Sequence, residues 1–101
     1  MLVEASTYTE KEEKIAQYAK ALGHPARIFI LNFLEKRCSC FAGDISSQLP
    51  IANSTVSQHL SALKEAGLIQ GTINPPTIKY CINQENWKEA KELFKAFFES
   101  D

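Results

Sequence analysis

The side chains of this sequence that could do chemistry fall into a few small groups. Cys38, Cys40 and Cys81 are thiols. Thiolates bind soft ions or oxidise to disulfides. His24 and His59 are the only histidines, too few for a metal centre without other donors. Ser54, Thr55, Ser57, Gln58 and Ser61 crowd hydroxyls and an amide into one short stretch, and Asn74, Thr77 and Lys79 form a second polar group further on. Short polar side chains of this kind hydrogen-bond to base edges and to phosphate oxygens. No Ser/His/Asp set, paired carboxylates or glycine-rich phosphate loop stands out, so the sequence does not read as an enzyme.

The elements that must position these groups follow from the whole chain. A length of 101 residues suits one domain, and a 45% apolar share supports a modest core. The net charge of -1 gives no global basic signature and argues mildly against a nucleic-acid binder, since such domains are often strongly basic. No apolar run approaches the roughly 20 residues that span a bilayer. The start, "MLVEASTYTEKEEK", has no basic region followed by an apolar stretch and is not a signal peptide. An odd number of cysteines without a secretory signal reads as reduced thiols, which implies a cytoplasmic protein.

Residues 1–8 have no clear period and are expected to fray. Thr9 and Glu12 have capping-box spacing, and Ile15, Tyr18, Ala19 and Leu22 follow at helical spacing over 9–22. Gly23 ends that helix, and Pro25 suits the first turn of the next. "PARIFILNFLEKR" is apolar on most sides and is expected to be the central core helix. "CSCF" reads as a brief strand. "GDISSQL" reads as a two-turn helix stopped by Pro50, with Ile51 packing inward from the turn. Asn53 or Ser54 is expected to cap the helix after it.

In that helix Val56, Leu60 and Leu63 stack on one face, while Ser54, Gln58 and Ser61 lie opposite, flanked by Ser57 and Thr55. A merely solvated face usually carries Lys and Glu, which favour helix; Ser and Thr do not. A helix laid into a DNA groove needs short polar groups, because bulky ones hold it away from the bases. Two helices joined by a short turn, the second with this face, match the helix-turn-helix pattern. "LIQGTI" and "TIKYCI" around "NPPT" then form a hairpin, which makes the whole a winged helix. Asn74, Thr77 and Lys79 become candidates for phosphate contact, each weighed against an ordinary exposed residue. The fold class is mainly α with a small β-wing: five helices and a two- to three-stranded antiparallel sheet, one winged helix-turn-helix domain over 9–99.

"ALGHPARIFILNFL" and "STVSQHLSALKEAGLI" resemble the two signature segments of the ArsR/SmtB family of bacterial winged-helix repressors. The resemblance covers about Ala21 to Ile82. It implies a dimeric transcriptional repressor that binds a double-stranded DNA operator and leaves it when an inducer binds. The family's recognition pattern carries over to Ser54, Thr55, Ser57, Gln58 and His59. His24 reads as a helix-entry cap or packing residue rather than a ligand. Arg27 either pairs with a carboxylate or reaches a phosphate, the structural role being preferred. His59 either donates to a DNA phosphate or is a packed, satisfied histidine. The alternative reading of the chain is a winged-helix module used only for protein contacts.

The last segment, "NWKEAKELFKAFFES", puts Trp87, Ala90, Phe94, Phe97 and Phe98 along one stripe of a helix over 84–98. Such a stripe should not face water. Both terminal helices are therefore expected to form a homodimer interface through Ile15, Tyr18, Leu22, Trp87, Phe94, Phe97 and Phe98. The competing arrangement folds the last helix onto its own core.

The inducer is where the sequence departs from its relatives. Zinc or nickel sites between the last helices need histidines that this segment lacks. Relatives that bind arsenite carry a Cys-x-Cys whose second Cys directly precedes an Asp. Here Phe41, Ala42 and Gly43 stand between Cys40 and Asp44. Strand alternation offers another arrangement. If Phe41 points to the core, Cys38 and Cys40 point outward; if Ile78, Tyr80 and Ile82 point to the core, Cys81 points outward as well. Three thiolates on one face would suit As(III) or another thiophilic ion, or a redox switch, against the plain reading of three unrelated small residues.

Overall fold

The computed structural model describes residues 7–37, 40–74 and 77–100, with side chains left undescribed at Cys40, Ile73, Asn74 and Thr77. Most of the segment expected to fray falls on residues 1–6, outside the described residues. The first helix, α1 (Glu10–Leu22), begins at a complete capping box. The Glu12 N–H donates to Thr9 Oγ1 at 3.0 Å, and the Thr9 N–H donates to Glu12 Oε1 at 2.9 Å. Three acidic residues in its first turn favour the positive helix end. After Gly23, the His24 ring caps α2 (Pro25–Glu35) by accepting the Ala26 N–H at 3.0 Å. Pro25 costs nothing there, since a first-turn N–H has no helical partner anyway.

A two-residue strand, β1 (Cys40–Phe41), leads into α3 (Ala42–Ser46). That helix is shorter than the expected two turns. A turn then leads to α4 (Asn53–Glu65). Neither Asn53 nor Ser54 caps it: the capping position is Ala52, whose methyl offers the helix N–H groups no acceptor, and both expected residues lie inside the helix. Ile51, expected inside, is exposed. The C-terminal end of α4 is tightly closed. Gly67 takes a φ of +88°, the Gly67 N–H donates to Lys64 O at 3.0 Å and the Leu68 N–H donates to Leu63 O at 3.1 Å. This pair of hydrogen bonds satisfies carbonyls that a helix end leaves bare, and Leu63 and Leu68, both fully buried, supply its apolar contact.

The wing is β2 (Ile69–Asn74) and β3 (Thr77–Ile82), antiparallel from Ile69↔Ile82 to Asn74↔Thr77. Strand β1 pairs with the other edge of β3, giving a three-stranded sheet in the order β1-β3-β2. The chain closes with α5 (Gln84–Glu99), capped by Asn83. The fold is thus mainly helical, five helices and a three-stranded antiparallel sheet, as the sequence pattern implied.

The core joins Ile30, Leu31 and Leu34 of α2 with Ile45, Val56, Leu60, Leu63, Leu68, Ile69 and Ile82. Helix α5 contributes more to it than expected. Ala90 is buried, and Trp87, Leu93 and Phe94 pack against the same cluster. Tyr18, expected at a dimer interface, is 1% exposed within one chain, where its hydroxyl donates to Glu89 Oε1 at 2.6 Å. Burial, then the Glu89 carboxylate, push its phenol up to about 12. The inner half of the α5 stripe therefore covers the chain's own core. The outer half does not: Phe97 is 57% and Phe98 76% exposed.

Candidate nucleic-acid interface

Helices α3 and α4 pack against each other, and the apolar side of α4 faces inward through Val56, Leu60 and Leu63. That packing turns the other side out. Ser54, Ser57, Gln58 and Ser61 are exposed and Thr55 is half-buried at the rim. None of the four exposed residues is tied to another protein group among the described residues. Their hydrogen-bonding capacity is therefore available to a partner.

His59 is different. It is 7% exposed, and its Nδ1 accepts the Arg27 Nε–H at 3.1 Å. The assignment of His59 to the DNA-facing set is thereby corrected: the ring is a packed, satisfied histidine under the helix. Burial first, then the neighbouring His24 and Arg27, hold its pKa below the ordinary histidine value. Arg27 is half-buried and pairs with no carboxylate among the described residues. It binds a histidine and the Lys20 and Ala21 carbonyls.

Wing residue Lys79 is exposed, with Nζ 5.4 Å from the centroid of the Phe41 ring. Asn74 and Thr77 pair at the wing end, but their side chains, like Pro75 and Pro76, lie outside the described residues.

The low net charge loses its force once the charges are placed. Between Asp44 and Glu85 the only carboxylate is Glu65, against Lys64 and Lys79. The acidic residues stand mainly on α1 and α5. The first turn of α4 therefore offers a phosphate no like-charge repulsion.

The alternation argument for the cysteines loses a premise on each strand. Phe41 is 38% exposed and lies beside Lys79, so it does not point into the core. Ile78 is exposed as well, leaving Ile82 as the deeply buried residue of β3. The register sets Cys40 opposite Tyr80, whereas Cys81 pairs with Gln70, whose amide reaches its sulfur at 3.8 Å. Cys38 lies outside the described residues. Among the described residues no group of three His, Cys, Asp or Glu is placed to hold a metal ion.

The end of α4 is also held by residues that no pattern singled out. The Gln17 amide of α1 donates to Ala66 O at 3.1 Å, and the Asn86 amide of α5 donates to Gly67 O at 2.9 Å. Both terminal helices thus grip the turn behind the exposed face. The sequence separations, 49 and 19 residues, hide these pairs from any local reading.

Comparison with known proteins agrees with this geometry. Residues 24–70 match the family model described as bacterial regulatory protein, arsR family. An uncharacterised HTH-type transcriptional regulator of Methanocaldococcus jannaschii is 34% identical over 84 residues, covering 83% of this chain and 94% of that protein. The HTH-type transcriptional regulator YgaV of Escherichia coli is 30% identical over 84 residues, covering 83% and 85%. Among solved structures, HlyU from Vibrio cholerae superposes with a TM-score of 0.73 at 26% identity, over 90% of this chain and 98% of that one. Among the described residues no helix is long and apolar enough to cross a membrane. The chain belongs to the ArsR family of helix-turn-helix transcriptional regulators.

Proposed function

We propose that this regulator is a sequence-specific repressor that binds a palindromic operator as a homodimer. One observation carries the reading: α4 turns out Ser54, Ser57, Gln58 and Ser61, exposed and unencumbered, over a stretch without a carboxylate. Such a surface can enter a major groove and exchange hydrogen bonds with base edges. The wing, with Asn74, Thr77 and Lys79, then lies along the backbone, where its contacts fix register rather than sequence. The exposed ends of two α5 helices supply the apolar surface for a two-fold partner, so that two such faces read two half-sites.

The test is selection of bound duplexes from a random pool at low salt, using the purified full chain. Enrichment of an inverted repeat supports the repressor. A pool that stays random under these conditions overturns it, and leaves the chain a winged-helix module for protein contacts.

A further inference from the structure

A polar cluster at the α1–α2 corner takes no part in the exposed face of α4. Arg27 stands in the first turn of α2. Its Nε–H donates to His59 Nδ1 at 3.1 Å, and its Nη1 lies 3.5 Å from Lys20 O and 3.4 Å from Ala21 O. Those carbonyls lie in the last turn of α1, where the helix supplies no N–H donors of its own; Lys20 O also accepts the Gly23 N–H at 3.2 Å. One guanidinium therefore joins α1, α2 and α4. A lysine could not do this, because its ammonium lacks the planar fork. The His24 ring stands 4.4 Å from the His59 ring, centroid to centroid, and its own Nδ1 is taken by the Ala26 N–H.

This geometry dictates a protonation state. A guanidinium can only donate, so His59 Nδ1 must be bare, and the neutral ring carries its proton on Nε2. A doubly protonated ring has no acceptor left. It would also add a second cation beside Arg27.

We propose that Arg27 and His59 are positioning residues for the recognition helix, and that protonation of His59 unlatches α4 from the α1–α2 corner and weakens DNA binding in acid. This rests on α4 being the helix that reads DNA. Of the elements packed on α4, the α1–α2 corner supplies His24 and Arg27, and these two are the charged or titratable groups that act on His59. Helix α1 adds Lys20 along the adjoining groove, which Glu65 of α4 also lines. Helix α3 carries Asp44 and β2 carries no ionisable side chain. Above the ordinary histidine value of 6.5 the ring is neutral in folded and unfolded chains alike, and the bond is intact. As pH falls below that value the unfolded chain binds the proton first and the folded chain follows lower down. The bond and its stabilisation are lost in that acid window.

The test compares DNA affinity at about pH 8 and about pH 5.5 for the full chain and two variants. In His59→Asn the amide oxygen can accept the Arg27 Nε–H but does not titrate. In Arg27→Met the latch is absent at every pH. The wild type is expected to lose about tenfold more affinity in acid than either variant. Nitrogen NMR of the His59 ring gives a readout that needs no DNA. It should show the Nε2–H form at neutral pH, and a pKa that rises in Arg27→Met as the neighbouring cation is removed. An Nδ1–H ring at neutral pH, or a His59→Asn protein as acid-sensitive as wild type, overturns the proposal. A wild type that binds no duplex at either pH instead overturns the DNA reading of α4, while the ring-nitrogen spectra still decide the latch.

Discussion

On the proposed reading, Gln58 and Lys79 divide the two tasks of a DNA contact between them. Gln58 is an exposed amide on α4, with a donor and an acceptor at the spacing an adenine edge presents. Gln58→Ala should relax preference at one position of each half-site, by about 1–3 kcal/mol, and leave other positions alone. Lys79 is a point charge held beside an exposed aromatic ring. Lys79→Met should weaken binding to every duplex alike and reduce the slope of log affinity against log salt by about one. Fluorescence anisotropy across a salt series separates the two; equal losses on all sequences for Gln58→Ala would remove it from the base-reading set. At this scale the sequence is legible where partners are local. The Thr9–Glu12 box and the His24 cap each close within three residues and were readable from spacing. The role of His59 was not, because its partner Arg27 is 32 positions away and arrives only when α2 crosses α4.

The helix ends show what an element needs beyond its own pattern. Gly67 was legible as a terminator of α4, since the chain must turn left-handed there and only glycine does so freely. Its second constraint was not. A Cβ at Gly67 would stand 2.9 Å from Asn86 Nδ2, the group that donates to the Gly67 carbonyl. Gly67→Ala therefore adds backbone strain and displaces a hydrogen bond, a loss of about 2 kcal/mol. Thermal denaturation should show a midpoint lower by on the order of 10 °C; a shift within error would mean that Asn86 moves aside freely. The strand β1 shows the opposite failure. Alternation along so short a strand is decided by its neighbours, and α3 begins at the residue after Phe41, so the ring turns out towards Lys79 and not into the core. Between α1 and α5 the Tyr18–Glu89 bond carries its own signature. The raised phenol means that its stabilisation is complete below pH 10, the ordinary tyrosine value, and is lost as pH rises through about 12. Ultraviolet titration should contain a phenolate step at about 12 that Tyr18→Phe removes.

As a whole the molecule is more extended than one self-sufficient chain of its length. Its radius of gyration is 15.1 Å, where about 13 Å is usual for this many residues. The far end of α5 explains part of the difference. Its inner face is anchored by Ala90, while Phe97 and Phe98 project, stacked edge to face with ring centroids 5.4 Å apart. Beside them an open apolar cavity of about 370 Å³ is lined by Ala19, Leu22, Gly23, Phe94 and Phe98. Rings so exposed next to an unfilled apolar hollow support the proposed two-fold interface. The sequence stripe contained both halves of this answer and could not separate them, because periodicity marks a face as apolar without saying which neighbour covers each turn. Phe94 is a poor probe for that reason: it packs on its own core, and a charge there would damage the fold. Phe98→Asp is the cleaner variant. An exposed substitution should change the stability of a lone chain by no more than about 0.5 kcal/mol, so a large effect must come from assembly. The wild type should sediment as a dimer at micromolar concentration and Phe98→Asp as a monomer with unchanged helix content. The monomer should also lose most of its operator affinity, since half-sites about 34 Å apart are bridged only when two α4 helices are held on one axis. A wild type that stays monomeric at high concentration, or a Phe98→Asp protein that still sediments as a dimer, would remove α5 from the interface.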